Sequence, residues 1–201
     1  MDDLSELTDV KADLRKRLYA ARREAHAAGS GAGEAARDHF LASRLATGAQ
    51  VISGYCPIRT EIDVFPLMNA LHLAGHRLVV PVIEGPGKAL RFFEWWPDVE
   101  MQDGPFGARI PVDTHELIPD LVIAPLVGFD RFGWRLGYGG GFYDRTLEGL
   151  RATRRVRAYG YAYAAQEVST VPTEPTDQRL EGTFTEKGLI KAAVASEASV
   201  S

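Results

Sequence analysis

Residues 120–145 read DLVIAPLVGFDRFGWRLGYGGGFYDR, and this stretch decides the fold class. It begins with a short apolar run from Leu121 to Ala124, which is typical of a buried strand. The chain then passes through four glycines within five residues, from Gly137 to Gly141, and enters a sequence that favours a helix. A strand that leads through a glycine-rich turn into a helix is a building unit of α/β proteins with parallel sheets.

Units of the same kind lie on both sides of this stretch. Further strands are predicted at residues 50–55, 77–80, 90–95, 156–161 and 182–184, and helices at 9–28, 34–47, 65–74 and from about 141. Strands that alternate with helices predict a three-layer αβα sandwich around a mainly parallel sheet, with a helical pair at the N-terminus. The Gly- and Pro-rich residues 97–111 are expected to form an irregular loop.

The length and composition indicate one globular domain. The chain has 201 residues, 45% hydrophobic and 25% charged, which suffices for a core without disulfides. We predict a single domain over residues 1–201, with a core at about 8–190 and a disordered tail at about 192–201.

Charge and cysteine content exclude several classes of protein. The net charge of −4 gives no long-range attraction to nucleic acid or to an anionic membrane, so an anionic ligand must be held by local cations. A single cysteine, Cys56, rules out an intrachain disulfide. The chain also shows neither a secretory signal nor an apolar run of about 20 residues. We therefore expect a cytoplasmic monomer without membrane or nucleic-acid partners.

The glycine-rich turn is a candidate phosphate site. Its glycines let the backbone approach a ligand, and the helix behind them adds positive potential. Arg135 before the turn can offer a two-pronged guanidinium to phosphate oxygens, and Asp144 after it can hold magnesium. Neither GxxxxGK[ST] nor GxGxxG fits, because Phe142 stands where the third glycine belongs. A purely structural turn with exposed charges is the alternative that these residues leave open.

Residues 135–144 resemble the signature of the 5-formyltetrahydrofolate cyclo-ligases, also called methenyltetrahydrofolate synthetases. Other segments agree with this family in the same order: residues 11–15, 55–63, 128–133, 166–177 and 185–188. The resemblance covers roughly residues 10 to 190. It implies ATP- and magnesium-dependent cyclisation of 5-formyltetrahydrofolate, with or without a polyglutamate tail, to 5,10-methenyltetrahydrofolate. ADP and phosphate would be released through a phosphorylated formyl intermediate.

The resemblance also implies roles for single residues. Catalytic roles fall to Arg135, Lys11 and Asp144, and magnesium ligation falls to Asp144 and Asp177. ATP binding would involve Lys11, Arg15, Arg135, Gly137, Tyr138, Gly139, Gly140, Gly141, Phe142 and Tyr143. Substrate binding would involve Cys56, Glu61, Tyr138, Gly140, Gly141 and Phe142.

Each of these residues also has an ordinary structural explanation. Lys11 and Arg15 lie four apart and share a helical face, but a basic pair is commonly solvated, and Arg17, Arg22 and Arg23 are expected to be solvated. Outside the resemblance, Glu61 would be an exposed acid near a helix start and Asp177 a turn residue. No neighbouring His or Lys favours a reactive thiol at Cys56.

The sequence departs from the family pattern at two positions, so other functions stay open. Ile110 stands before Pro111 where relatives usually carry Glu, and Phe142 replaces a tyrosine. One alternative is a divergent paralogue that binds folate or nucleotide without cyclisation. Another is an enzyme that resembles sugar-phosphate isomerases or CoA-transferases. A third is a non-catalytic module that contacts RNA through the basic residues 151–157.

Overall fold

The apolar runs form the centre of a seven-stranded sheet in a computed structural model that describes residues 2–29 and 31–193. The helices are α1 (Asp2–Ala28), α2 (Ala32–Ala42), α3 (Phe65–Leu73) and α4 (Phe142–Thr153). The strands are β1 (Val51–Ser53), β2 (Arg77–Val82), β3 (Arg91–Trp95), β4 (Met101–Asp103), β5 (Arg109–Pro111), β6 (Leu121–Ala124), β7 (Gly128–Phe129), β8 (Arg135–Leu136), β9 (Arg157–Tyr161), β10 (Gly182–Thr185) and β11 (Gly188–Lys191).

The strand order in the main sheet is β11-β10-β9-β6-β1-β2-β3. The five inner strands are parallel, and the two edge strands run antiparallel to their neighbours. In β6 all four residues are buried, as expected for a strand covered on both faces. The prediction of an α/β fold with a mainly parallel sheet is confirmed.

The alternation of side chains along the strands produces three layers. One face of the sheet packs against α2 and α3, with Phe40 and Met68 fully buried among strand residues such as Ile123. The opposite face packs against α4, where Leu147 is buried beside Val122. Helix α1 precedes α2 in the chain and packs against the segments that follow β6. The buried cluster at this contact comprises Leu14, Leu18, Val127, Leu136 and Val171.

Some element boundaries differ from the predictions. Helix α2 ends at Ala42, short of the predicted residue 47, and turns follow in which Arg44 has a positive φ of 56°. Residues 97–111, expected to be irregular, contain the β4–β5 hairpin, whose tip is a 3₁₀ turn at Pro105–Gly107. The short strands β7, β8 and β11 were absent from the predicted set.

The last described residues are attached to the body of the protein. Ala192 and Ala193 donate backbone hydrogen bonds to the carbonyl oxygens of Glu181 and Arg131. The rest of the predicted tail, residues 194–201, lies outside the described residues. Within the part of the chain that the structure describes, no helix combines the length and apolar character needed to cross a membrane.

Candidate functional site

A cleft of about 590 Å³ opens beyond the carboxyl ends of β1, β2 and β6. The strand order reverses between β1 and β6, because the chain adds β2 and β3 on one side and β9 and β10 on the other. Such a reversal leaves a crevice where α/β proteins bind ligands. The walls include residues that directly follow these strands, among them Tyr55, Cys56, Ile83, Pro125 and Val127.

The glycine loop, residues 137–141, joins β8 to α4 and forms one wall of the cleft. Gly139 and Gly141 have φ values of 110° and 62°, which favour glycine. Gly141 caps α4 without any side-chain hydrogen bond to the helix. The first backbone N–H groups of α4 therefore remain available for an anion, and the helix dipole favours negative charge there.

Two cations of α1 bond to segments at this side of the protein, Arg15 to the glycine loop and Lys11 to residues 174–177. Arg15 Nε donates to the carbonyl oxygen of Gly137 at 2.9 Å. Lys11 is buried and its Nζ donates to Glu174 at 2.7 Å and to Asp177 at 3.1 Å. The structure thus places Arg15 beside the glycine loop and Lys11 beside Asp177 and Glu174, while neither cation is among the residues that line the cleft. Glu174 had no signal in the sequence.

Arg135 and Asp144 form a largely buried ion pair. Arg135 Nη2 donates to Asp144 Oδ1 at 2.8 Å, and the side chain of Arg135 is 4% exposed. Its Nη1 donates to the carbonyl oxygen of Gln178, and the backbone N–H of Gln178 donates to Asp144 at 2.9 Å. Burial lowers the pKa of Arg135, and the charge of Asp144 opposes that shift. The two prongs of the guanidinium, expected to face phosphate, here connect α4 to the segment that carries Asp177.

The two predicted metal ligands lie on segments that are in contact. Asp144 lines the cleft and accepts the backbone N–H of Gln178, the residue after Asp177, while the carboxylate of Asp177 bonds to Lys11 and is not among the lining residues. Among the described residues, no three His, Cys, Asp or Glu side chains are arranged to hold a metal ion. Magnesium needs only one or two carboxylates when phosphate oxygens and water complete its shell. The donor set therefore fits magnesium that arrives with a nucleotide.

Glu61 and Cys56 lie in the wall of the same cleft. The side chain of Glu61 is 12% exposed, and its Oε2 accepts the backbone N–H of Ile58 at 3.0 Å. Burial raises the pKa of Glu61, while the Ile58 N–H and Arg22 act in the opposite direction. Burial also raises the pKa of Cys56 to about 11, so its thiol is neutral at physiological pH and lines the pocket without being reactive.

Three aromatic rings cluster in the wall of the cleft. The centroids of Tyr138 and Phe142 are 5.9 Å apart, and Phe106, from the tip of the β4–β5 hairpin, lies 6.3 Å from each. Ile110 lines the cleft and packs against Gly104, where a Cβ atom would come within 2.6 Å of it. The hydroxyl of Tyr143 is buried without a hydrogen-bond partner in the described structure.

The expectation that Arg22 is solvated is wrong. Arg22 is 4% exposed and lines the cleft, because its partners Thr60 and Glu61 lie across from α1. Its spacing is the signal that was available, since seven residues after Arg15 return to the same face of a helix. Arg17 and Arg23 are exposed, as predicted.

Two of the four arginines in residues 151–157 have local partners, Arg151 in the last turn of α4 and Arg154 just after it. Arg151 donates to Gln178 at 3.2 Å and to Glu181 at 3.4 Å, and Arg154 lies 3.8 Å from Asp120. Neutralised charges of this kind weaken the alternative of an RNA contact at residues 151–157.

Comparison with known proteins identifies similar chains. The sequence profile of the 5-formyltetrahydrofolate cyclo-ligase family matches residues 7–186. The chain is 35% identical over 144 residues to the 5-formyltetrahydrofolate cyclo-ligase of Escherichia coli (strain K12), covering 68% of this chain and 78% of the relative. It is 29% identical over 187 residues to that of Mycolicibacterium smegmatis, covering 88% and 94%.

Two solved structures of 5,10-methenyltetrahydrofolate synthetases have the same fold as this chain. The NMR structure of Aquifex aeolicus 5,10-methenyltetrahydrofolate synthetase superposes with a TM-score of 0.73 at 26% identity, over 94% of this chain and 96% of that chain. The 5,10-methenyltetrahydrofolate synthetase from Mycoplasma pneumoniae has a TM-score of 0.68 at 24% identity, over 88% and 98%. The second likeness supports the fold alone.

Proposed function

The chain belongs to the 5-formyltetrahydrofolate cyclo-ligase family, and from this membership we propose that it converts 5-formyltetrahydrofolate to 5,10-methenyltetrahydrofolate with consumption of ATP. The observation that carries the proposal is the composition of the cleft. One end has the glycine loop with the uncapped start of α4 and the charged residues around Asp144, and the wall also contains a buried carboxylate, Glu61.

The reaction requires activation of a formyl oxygen that is a poor leaving group. Transfer of the γ-phosphoryl group of ATP to this oxygen releases ADP and makes the formyl carbon electrophilic. Folate N10 then attacks that carbon, the C–O bond breaks, phosphate departs and N10 loses its proton as the ring closes. The substrate supplies both the oxygen and the nitrogen, so no nucleophile of the protein is required.

The phosphate end of the cleft acts by position and charge. Phosphoryl transfer depends mainly on alignment and on neutralisation of the phosphate oxygens. Lys11, Arg15 and the N–H groups of the glycine loop supply positive charge around the nucleotide. Arg135 holds Asp144 in place through the 2.8 Å bond. Magnesium, when bound, would neutralise phosphate oxygens, with Asp144 and Asp177 as its protein ligands.

The folate end acts by hydrogen bonding and by excluding water. Glu61 in its ionised form accepts hydrogen bonds from the ring N–H and amino groups of the pterin. Cys56, Tyr138 and the residues from Gly140 to Phe142 line the same space. Packing of the folate rings against the aromatic cluster of Phe106, Tyr138 and Phe142 would displace water that could hydrolyse the phosphorylated formyl group.

The test is the absorbance of methenyltetrahydrofolate in a mixture of the purified protein, 5-formyltetrahydrofolate, magnesium and ATP. We expect product only when all components are present, with one ADP and one phosphate per turnover. Folded protein that binds 5-formyltetrahydrofolate but forms no product would instead establish a divergent, non-cyclising relative. Ile110→Glu would then test whether the missing carboxylate is the cause. The family membership leaves the isomerase and CoA-transferase alternatives without support.

A further inference from the structure

Helix α1 carries a third cation on the face that bears Lys11 and Arg15, and this cation lies in the wall of the cleft near Glu61. Arg22 is 4% exposed and is held on three sides. Its Nε donates to Thr60 Oγ1 at 3.1 Å, its Nη1 lies 3.7 Å from Glu61 Oε1, and its guanidinium lies 5.2 Å from the centroid of the Tyr19 ring. Burial of an arginine side chain is unfavourable unless fixed partners compensate for its lost hydration. The three contacts of Arg22 supply such partners.

These contacts fix the orientation of the Glu61 carboxylate, because each of its oxygens has a partner. Oε2 accepts the Ile58 N–H at 3.0 Å, and Oε1 faces Arg22. A carboxylate has about four acceptor positions, so two remain for hydrogen bonds from a ligand in the cleft. A planar ligand that offers two parallel N–H donors needs these positions in one fixed plane.

The charged and titratable groups around Glu61 come from several elements. Arg22 faces it from α1 and Arg59 from its own loop, and both favour the ionised carboxylate. Tyr55, Tyr138 and Tyr143 also face it, and the charge of Glu61 helps to raise the pKa of each phenol beyond the effect of burial. These phenols are neutral, so the two arginines are the cations that compensate for the burial of Glu61.

We propose that Arg22 is a positioning residue for folate, which acts through Glu61 by holding this carboxylate ionised and in the orientation that receives the pterin. The inference rests on the proposed function, since it assigns the pterin to Glu61. Arg22 differs from Lys11 and Arg15, because it serves the folate end while they serve the phosphate end. A single rigid helix therefore contributes to the binding of both substrates.

The test compares Arg22→Gln and Arg22→Lys with Arg23→Gln, an exposed neighbour on the same helix. We expect Arg22→Gln to raise the KM for 5-formyltetrahydrofolate about tenfold or more, with the KM for ATP changed by less than about twofold. Arg22→Lys keeps the positive charge but loses the planar guanidinium donors, so its increase in the KM for folate should be intermediate. Arg23→Gln should behave as the wild type.

The pH profile separates positioning from a merely structural role. Glu61 binds pterin donors only when ionised, so folate affinity falls as the pH drops through its pKa. Without Arg22 that pKa is higher, and the acid limb of the affinity profile should move to higher pH by roughly one unit. Arg22→Lys should leave the acid limb near that of the wild type. For Arg22→Gln, a KM increase without any movement of the acid limb would overturn the proposal, as would equal behaviour of Arg22→Gln and Arg23→Gln.

Two further measurements keep the test decisive. If Arg22→Gln does not fold, Thr60→Val takes its place. This substitution removes the hydrogen-bond partner of Arg22 Nε but leaves the guanidinium charge. It should therefore raise the KM for folate without moving the acid limb of the pH profile. Direct binding of 5-formyltetrahydrofolate without ATP, measured by calorimetry, does not depend on turnover. Wild-type protein that binds folate but makes no product would count against the proposed function, while the same binding series would still decide the role of Arg22.

Discussion

Asp144 at the first turn of α4 accepts a hydrogen bond of 2.8 Å from Arg135, the first residue of β8, nine residues earlier in the chain. The glycine loop lies between these two residues, so the ion pair ties its two ends together. The backbone N–H of Gln178 bonds to the same Asp144 oxygen. One carboxylate thus fixes both the glycine loop and the segment that carries Asp177.

Replacement of Asp144 should separate its structural contribution from its part in catalysis. Asp144→Ala leaves the buried Arg135 without its ion-pair partner, which we expect to cost about 3 kcal/mol of unfolding free energy. Asp144→Asn can still accept from Arg135 but has no charge for magnesium. We expect turnover to fall about 100-fold or more in both variants, with a smaller stability loss for Asn. Turnover and urea unfolding measure the two effects. A fully active Asp144→Asn variant would show that Asp144 is not a magnesium ligand.

Lys11→Met should weaken ATP binding rather than folate binding. Lys11 is the cation between Glu174 and Asp177, and its loss leaves these two carboxylates to repel the nucleotide. We expect the KM for ATP to rise about tenfold or more with little change in the KM for folate. Lys16→Met is the matched control, because Lys16 is exposed on the same helix. If both variants behave alike, Lys11 has no specific place at the phosphate end.

Tyr143→Phe removes a buried hydroxyl that has no partner in the described structure. A buried unpaired hydroxyl carries a desolvation cost, so we expect the free energy of unfolding to stay unchanged or to rise by about 1 kcal/mol. Tyr161→Phe is the contrast, because the Tyr161 hydroxyl donates to the Gly33 carbonyl at 2.7 Å and its loss should cost about 1 kcal/mol. Thermal unfolding with and without ATP and folate then shows whether a ligand uses the Tyr143 hydroxyl. Weaker stabilisation of the Phe variant by a ligand is the expected result, and equal stabilisation would contradict it.

Two glycine-to-alanine substitutions should have opposite effects. Gly139 has a φ of 110°, which alanine rarely adopts, and we expect Gly139→Ala to destabilise the protein by about 1–3 kcal/mol and to lower turnover. Gly149 lies inside α4 with open space at its Cβ position, so Gly149→Ala should stabilise the protein by about 0.5–1 kcal/mol. Urea unfolding measures both. A stable, fully active Gly139→Ala protein would show that the loop does not need its left-handed backbone.

The elements that local pattern determines were predictable from the sequence. Leu121–Ala124 is apolar at every position and is buried at every position, because a central parallel strand is covered on both faces. The glycine loop and the start of α4 followed from the glycine spacing. Residues 43–47 contain nothing that forbids a helix, so the end of α2 at Ala42 had no local signal.

Features that depend on contacts between distant parts of the chain could not be predicted from local sequence patterns. The β4–β5 hairpin has strands of three residues, which are too short to show an alternating pattern. Arg22 is buried by partners that lie at positions 60 and 61, 38 or more residues further along the chain. A basic residue on an amphipathic helix is usually solvated, and only the folded arrangement distinguishes Arg22 from Arg23.

The bond between Lys11 and Glu174 joins residues that are 163 positions apart. At translation rates of 5–20 residues per second, the ribosome adds Glu174 roughly 8 to 33 seconds after Lys11. During that interval the nascent chain already contains Lys11, Arg15 and then the glycine loop, but it lacks the carboxylates at the far end of the site. A stalled or truncated chain that stops before residue 174 therefore leaves Lys11 without both of its carboxylate partners and cannot complete this part of the structure.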